Sequence, residues 1–252
     1  MTFVKTTKGF DLYLNNLLIM RHTDECPAVL VGKGEADISM HLGNFTIEDK
    51  NEYVNTVIAD VRDNCVTLES STGKVTLCAL DENGLSRLTV KAESGVNRIK
   101  VRYYAEKGEH VMGGGEQYSA LDLRGRNWPI WTREQGVGRN KNTEVTKLSD
   151  AWDGGGGDYH TTYFPQPTYV SSRMYFMHQD GYSYSELDLR ADDYHEIITW
   201  SDSVSAVFYS ADTYKALVSK LTEYLGRQPM LPDWAMKGIW IGVQGGSERV
   251  CE

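Results

Sequence analysis

Residues 131–141 hold a dense set of recognition chemistry: Trp131, Gln135, Arg139, Asn140 and Lys141, interrupted by Gly136 and Gly138. Amides, guanidinium and ammonium groups of this kind hold polyhydroxyl ligands, with an aromatic face beneath the sugar ring. The Arg139 fork could also take an anionic group. Fixing a Gly-x-Gly loop is costly in backbone entropy, which favours a loop that must adopt one shape. The plainer alternative is a solvated loop carrying ordinary surface charge.

Gly113, Gly114 and Gly115 precede Glu116, Gln117 and Tyr118. The Lys-Ser/Thr ending of a phosphate loop is missing and no helical pattern follows. The glycines therefore predict a tight turn or bulge where another backbone comes close. Glu116 either serves a site there or orders the turn through backbone N–H groups. Gln244 ends the apolar run 239–243. In a barrel of parallel strands that end faces the active site; otherwise Gln244 is a capping amide.

Glu116, Asp122, Glu134 and Asp158 are the carboxylates of these loops. Glycoside hydrolysis needs two, about 5–5.5 Å apart for retention or about 6.5–9.5 Å for inversion, and the sequence singles out no pair. The histidines are scattered without an HExxH, so neither a metal nor another cofactor is expected. No Gly-x-Ser-x-Gly elbow is present.

The elements that must position these residues are mostly strands. Short apolar alternations recur from residue 3 to about 209, at 10–14, 17–20, 54–61, 65–69, 75–80, 85–90 and 96–104, then at 173–178, 182–189, 196–200 and 204–209. Residues 70–73 and 81–84 read as hairpin turns, the second because Asn83-Gly84 readily takes positive φ. Such spacing indicates antiparallel sheets in a sandwich or barrel. The stretch 113–167 lacks clean periodicity, and so long an irregular segment is usually functional. The glycine run 154–157 reads as a mobile loop.

The period then changes. Tyr214, Leu217, Val218, Leu221, Tyr224 and Leu225 share one helical face, with Asp212 as expected N-cap and Gly226 as expected stop. The expected boundary falls near Ala211, dividing a sandwich domain, 1–210, from a segment 211–252. The run 239–243 is too apolar to stand without neighbours on both sides. It predicts the opening strand of a barrel left unfinished at Glu252.

The net charge of −9 disfavours phosphate backbones and anionic membranes, so no nucleic-acid or membrane partner is expected. Neither a signal peptide nor an 18-residue apolar run is visible. The cysteines at 26, 65, 78 and 251 form no CxxC, which fits small buried hydrophobes in a reducing, cytoplasmic compartment. The 15 tyrosines and 6 tryptophans suit sheet packing and sugar stacking alike.

Four segments together resemble glycoside hydrolase family 31, and within it the bacterial sulfoquinovosidases: 113–118 (Gly-Gly-Gly-Glu-Gln-Tyr), 129–141, 163–168 and 225–234. The resemblance runs from about residue 30 to 246. It implies a mainly-β fold, an N-terminal mutarotase-like β-sandwich followed by a linker helix and the first strand of a truncated (β/α)8 barrel. It implies a retaining α-glycosidase acting on a small-molecule glycoside such as sulfoquinovosyl glycerol, with an aspartate nucleophile and an aspartate acid/base. Both aspartates fall on later barrel strands, so no catalytic residue carries over and the chain alone is expected to be inactive. The loop 134–139 matches the one sent over the barrel mouth, making Gln135 and Arg139 the expected contacts, beside Glu134 and Glu116. Gln244 matches the first amide of the sugar-recognition set. Plain α-glucosidase specificity and a non-catalytic carbohydrate-binding sandwich are the rival readings. Oligomeric state is left open.

Overall fold

The computed structural model describes residues 1–93, 95–238 and 246–251. The chain opens with a small meander, β1 (Thr2–Lys5), β2 (Gly9–Leu14) and β3 (Leu17–Thr23). A long hairpin follows, β4 (Val29–His41) and β5 (Asn44–Asn55). Four shorter strands continue the series: β6 (Val57–Arg62), β7 (Cys65–Ser70), β8 (Gly73–Glu82) and β9 (Leu85–Ala92). Next come β10 (Arg98–Tyr104), β11 (Val111–Gly115), β12 (Asn127–Ile130) and a helix, α1 (Glu144–Asp153). The sheets are completed by β13 (Pro165–Ser171), β14 (Tyr175–Asp180), β15 (Ser185–Asp188), β16 (Tyr194–Thr199) and β17 (Ser203–Ser210). The helices α2 (Tyr214–Leu225), α3 (Asp233–Met236) and α4 (Gly246–Cys251) follow.

The mainly-β, antiparallel class expected from the alternations is the class observed. Besides the meander there is a six-stranded sheet, β12-β15-β16-β10-β4-β5, and an eight-stranded sheet, β11-β13-β14-β17-β9-β8-β7-β6. Period-2 patterning sets which face each strand buries. Along β10, Ile99, Val101 and Tyr103 are buried while Lys100, Arg102 and Tyr104 are half-exposed. One apolar core joins these residues to Leu68, Leu77, Val90, Ala206 and Phe208 of the larger sheet. The two sheets are thus the layers of a sandwich, each buried Leu or Phe contributing about 1.5–3 kcal/mol.

Both expected hairpins form. Ser70 pairs with Gly73, and Asn83 and Gly84 turn with φ of 53° and 72°. The same turn chemistry, Leu42 at 50° and Gly43 at 76°, closes the β4–β5 hairpin, whose exposed tip reaches out beyond the core.

Four expectations are corrected. First, Cys65 and Cys78 face each other across β7 and β8 and form a disulfide, while Cys26 and Cys251 are free and exposed. None of the four is a buried free thiol, so the case from cysteines for a reducing compartment is weakened. Second, the irregular stretch contains α1, whose Val145, Leu148 and Trp152 are exposed rather than packed on the core. Third, the glycine run is not a free loop. Val137 and Gly156 form a parallel bridge, Gly157 N donates to Val137 O at 2.9 Å, and Gly156 and Gly157 are buried. Fourth, the N-cap of α2 is Thr213, whose hydroxyl accepts from Ala216 N at 3.2 Å, not Asp212. Gly226 ends the helix as expected.

Helix α2 lies on the outer face of the eight-stranded sheet. Leu217 is buried with Leu85, Phe176 and Val207, and Leu221 and Tyr224 pack beside them. The other expected face residues, Tyr214, Val218 and Leu225, are exposed. The apolar run 239–243 and Gln244 lie outside the described residues. Among the described residues, no helix is long and apolar enough to cross a membrane.

Candidate functional site

Three segments meet at one edge of the sandwich: 113–121 from the end of β11 onward, 131–141 after β12, and 154–164 after α1. Glycine geometry lets them touch backbone to backbone. A Cβ on Gly115 would lie 2.1 Å from Phe164 O, and one on Gly113 2.6 Å from Thr168 O. The register of β11 against β13 shifts between these two glycines. They form the expected bulge against a close backbone.

The second segment is seated from two sides. Glu134 N donates to Gly43 O at 3.0 Å, docking the loop on the β4–β5 tip. Arg133 N donates to Thr162 O at 2.9 Å, and Val137 N to Gly155 O at 2.9 Å. Lys141 Nζ bridges Asp150 of α1, at 2.9 Å, and Gly156 O, at 2.7 Å. Helix α1 therefore acts as a buttress for the loop.

Four of the five expected site residues come together here. Tyr118 Oη donates to Glu116 Oε2 at 2.8 Å and receives Gln135 Nε2 at 3.2 Å. The Arg139 guanidinium lies over the Tyr118 ring, 4.7 Å from its centroid. Tyr163 Oη donates to Glu134 Oε1. Hydrogen bonding to these carboxylates raises the pKa of Tyr118 and of Tyr163 above the usual phenol value, with Glu116 and Glu134 as the respective causes.

Arg139 is heavily committed to the protein. It donates to Thr161 O, to Thr161 Oγ1 at 3.0 Å and to Asp158 O at 3.4 Å. Thr161 Oγ1 in turn lies 2.8 Å from Gln135 O. Arg139 thus ties 154–164 to 131–141 and holds Tyr118 in place. Asp122 and Asp158 are also engaged locally. Asp122 accepts from His110 and from Val111 N, at 2.7 and 3.1 Å, and Asp158 from its neighbour Tyr159 N at 2.7 Å.

The partners that sequence reasoning missed are Tyr118, Tyr163 and Thr161. Both tyrosines stand in the motif segments, but a side chain's partner across a loop has no period to betray it. Next to this cluster a cleft of about 420 Å³ is lined by Gly113, Gln117, Tyr118, Ser119 and Leu121. The arrangement presents phenols, an amide and carboxylates to solvent, a set suited to holding hydroxyl groups. Glu116 and Glu134 are each taken up by a phenol, Tyr118 and Tyr163 respectively.

These antiparallel sheets are similar to the N-terminal part of a glycoside hydrolase family 31 enzyme. No family model matches the chain. It is 40% identical over 258 residues to sulfoquinovosidase from Escherichia coli K12, covering 99% of this chain and 38% of the relative. It is 43% identical over 251 residues to sulfoquinovosidase from Agrobacterium fabrum C58, covering 98% and 37%. A solved family 31 sulfoquinovosidase from E. rectale, in complex with an aza-sugar inhibitor, superposes with a TM-score of 0.86 at 38% identity, covering 98% of this chain and 38% of that one. The chain spans less than two fifths of the length of these relatives and matches their N-terminal part.

Proposed function

We propose that this chain is the sandwich-bearing part of a retaining α-glycosidase acting on α-sulfoquinovosides, with sulfoquinovosyl glycerol as a natural candidate. The observation that carries the reading is 40–43% identity to sulfoquinovosidases across nearly the whole chain. The sandwich, 1–210, supports a loop edge over the mouth of a barrel that begins within 211–252. The two catalytic aspartates come from barrel strands beyond residue 252, so these residues bind and position without performing the bond cleavage.

In this reading Gln135 contacts sugar hydroxyls, and Gln244 is a second amide for the same ring. Arg139 and Tyr118 hold Gln135 in position, and Glu134 and Glu116 act through their tyrosines as acceptors on the rim. Displacing Gln135 then costs the contacts that orient the substrate.

The test uses two proteins. The purified 252-residue chain should show no turnover of a chromogenic α-sulfoquinovoside. A chimera carrying this chain in place of the matching part of E. coli sulfoquinovosidase should hydrolyse it, and Gln135→Ala in the chimera should lower kcat/KM about tenfold or more. Turnover by the chain alone, abolished by replacing Glu116 or Glu134, would overturn the proposal. A chimera preferring α-glucosides would replace the substrate class.

A further inference from the structure

Helix α1 is amphipathic the wrong way round. Thr146 and Asp150 lie one turn apart, on the side that meets the protein. Thr146 is buried, with Oγ1 2.9 Å from Thr143 Oγ1, and a Cβ on Gly138 would strike it at 2.1 Å. Asp150 accepts from Lys141 Nζ and from Gly156 N, both at 2.9 Å. On the other side, at i, i+3 and i+7, stand Val145, Leu148 and Trp152, which are 54%, 71% and 90% exposed. Polar groups thus hold the helix to its own fold, and its apolar stripe faces outward.

The β4–β5 tip is joined to the end of this helix. His41 Nε2 lies 2.9 Å from Asp153 O. Met40 and Leu42, on either side of His41 in the chain, are exposed as well. A single exposed leucine is ordinary. Several large apolar side chains on two joined elements, one of them a nearly bare tryptophan, mark a contact surface.

Two observations bear on what covers it. More than half of each matched sulfoquinovosidase lies outside the stretch that this chain matches. Helix α1 is also the buttress of 131–141, tied to it through Lys141, so whatever packs on α1 borders what that loop faces. A second copy is the poorer occupant, because pairing would bring together two chains of net charge −9.

We propose, on the reading of this chain as the sandwich-bearing part of a longer protein, that the outward stripe of α1 is the seat of the domain that follows. That domain packs an apolar surface on Val145, Leu148 and Trp152, and through α1 it fixes the height of the loop 131–141.

The experiment compares the 252-residue chain with the chimera by hydrogen-exchange mass spectrometry. Amides of 145–153 should exchange about tenfold more slowly in the chimera, or slower still. Leu148→Lys keeps helix propensity and puts a charge on the stripe. It should leave the thermal midpoint and the exchange of the isolated chain unchanged, and in the chimera it should return 145–153 to the isolated-chain rate. Trp152→Ala, which adds no charge, should act in the same direction and keeps the test open if the lysine prevents the chimera from folding. Equal exchange of 145–153 in the two proteins, or slow exchange in the chimera that both substitutions leave untouched, would overturn the proposal. So would an isolated chain that forms a dimer dispersed by Leu148→Lys, since that assigns the stripe to a second copy. Turnover by the chimera without this protection sinks the docking surface alone, and protection without turnover sinks the hydrolysis reading alone.

Discussion

Tyr224 Oη lies 2.8 and 2.9 Å from the two carboxylate oxygens of Asp180, joining the last turn of α2 to the end of β14. Arg87, from β9, closes the triangle, with Nη2 donating to Tyr224 Oη at 3.0 Å and Nη1 to Asp180 Oδ2. Leu217 and Leu221 supply the apolar part of the same contact. The helix leaving the sandwich is therefore fixed in direction by a charge-assisted lock as well as by a greasy face. Tyr224→Phe should cost about 1 kcal/mol, the net worth of an ordinary hydrogen bond. Arg87→Met should cost more, because it removes the ion-pair partner of a partly buried carboxylate as well as a donor to Tyr224. Urea unfolding reads both, and limited proteolysis should show α2 released before the sheets.

Acid should weaken the fold through two histidines. Burial depresses His22 to about 4 and His195 to about 3, from an ordinary value of 6.5. Neither is then protonated in the folded chain at pH 5, whereas both are in the unfolded chain. Stability is full above pH 6.5 and falls as the pH drops towards the folded values, by roughly 2 kcal/mol per histidine at pH 5. Glu109 acts in the opposite sense, since burial raises its pKa and the folded state takes up that proton more readily. His195 has neither ring nitrogen hydrogen-bonded among the described residues. His195→Phe should therefore be tolerated near pH 8 and should flatten the acid limb of a Tm-against-pH curve. An unchanged acid limb would mean that the ring is hydrated in solution.

The disulfide makes a chemical prediction. Cys65 and Cys78 are 13 residues apart in sequence, a span whose closure is worth at most about 3 kcal/mol. The β7–β8 hairpin already restrains that span, so reduction should cost about 1–2 kcal/mol rather than unfold the chain. Thiol titration of the native protein should count the two exposed cysteines, Cys26 and Cys251, and reduction should reveal the other two. Four titratable thiols in the untreated, freshly purified chain would contradict the bond.

What the sequence made legible follows from periodicity. Strands such as β10, with one face buried, announce themselves by alternation, and α2 does so by its change of period and its terminal glycine. The disulfide was also within reach. Ser70 opposite Gly73 fixes the register that puts Cys65 opposite Cys78, but spacing motifs such as CxxC look along the chain rather than across a hairpin. Helix α1 was hidden because its apolar residues, Val145, Leu148 and Trp152, face solvent and signal no core. Their spacing, with Thr143 before and Gly154 after, is nonetheless helical. In the candidate site, the residue types of Gln135 and Arg139 were readable. Their partners Tyr118 and Thr161 were not, because contacts between loops obey no repeat.

The glycines of the loop edge permit a sharper test of what holds Gln135. A Cβ on Gly157 would lie 2.3 Å from Gln135 O and 2.4 Å from Gly138 O, both backbone atoms that cannot swing aside. Gly157→Ala must push 131–141 away from 154–164, and with it the Arg139 contacts to Thr161 and Asp158. Gly125 is the matched control. Its φ is 82°, yet a Cβ there meets nothing within 4 Å. Gly125→Ala should cost about 1 kcal/mol of backbone strain and leave the loop edge alone. The core does not depend on these loops, so Gly157→Ala should change global stability little while raising amide exchange selectively across 133–139 and 155–162. In the chimera it should depress kcat/KM as Gln135→Ala does, because a loop shifted by an ångström no longer presents the amide where the sugar needs it. If exchange rises across the loops while turnover holds, Gln135 is a structural amide and the rim has no part in substrate binding.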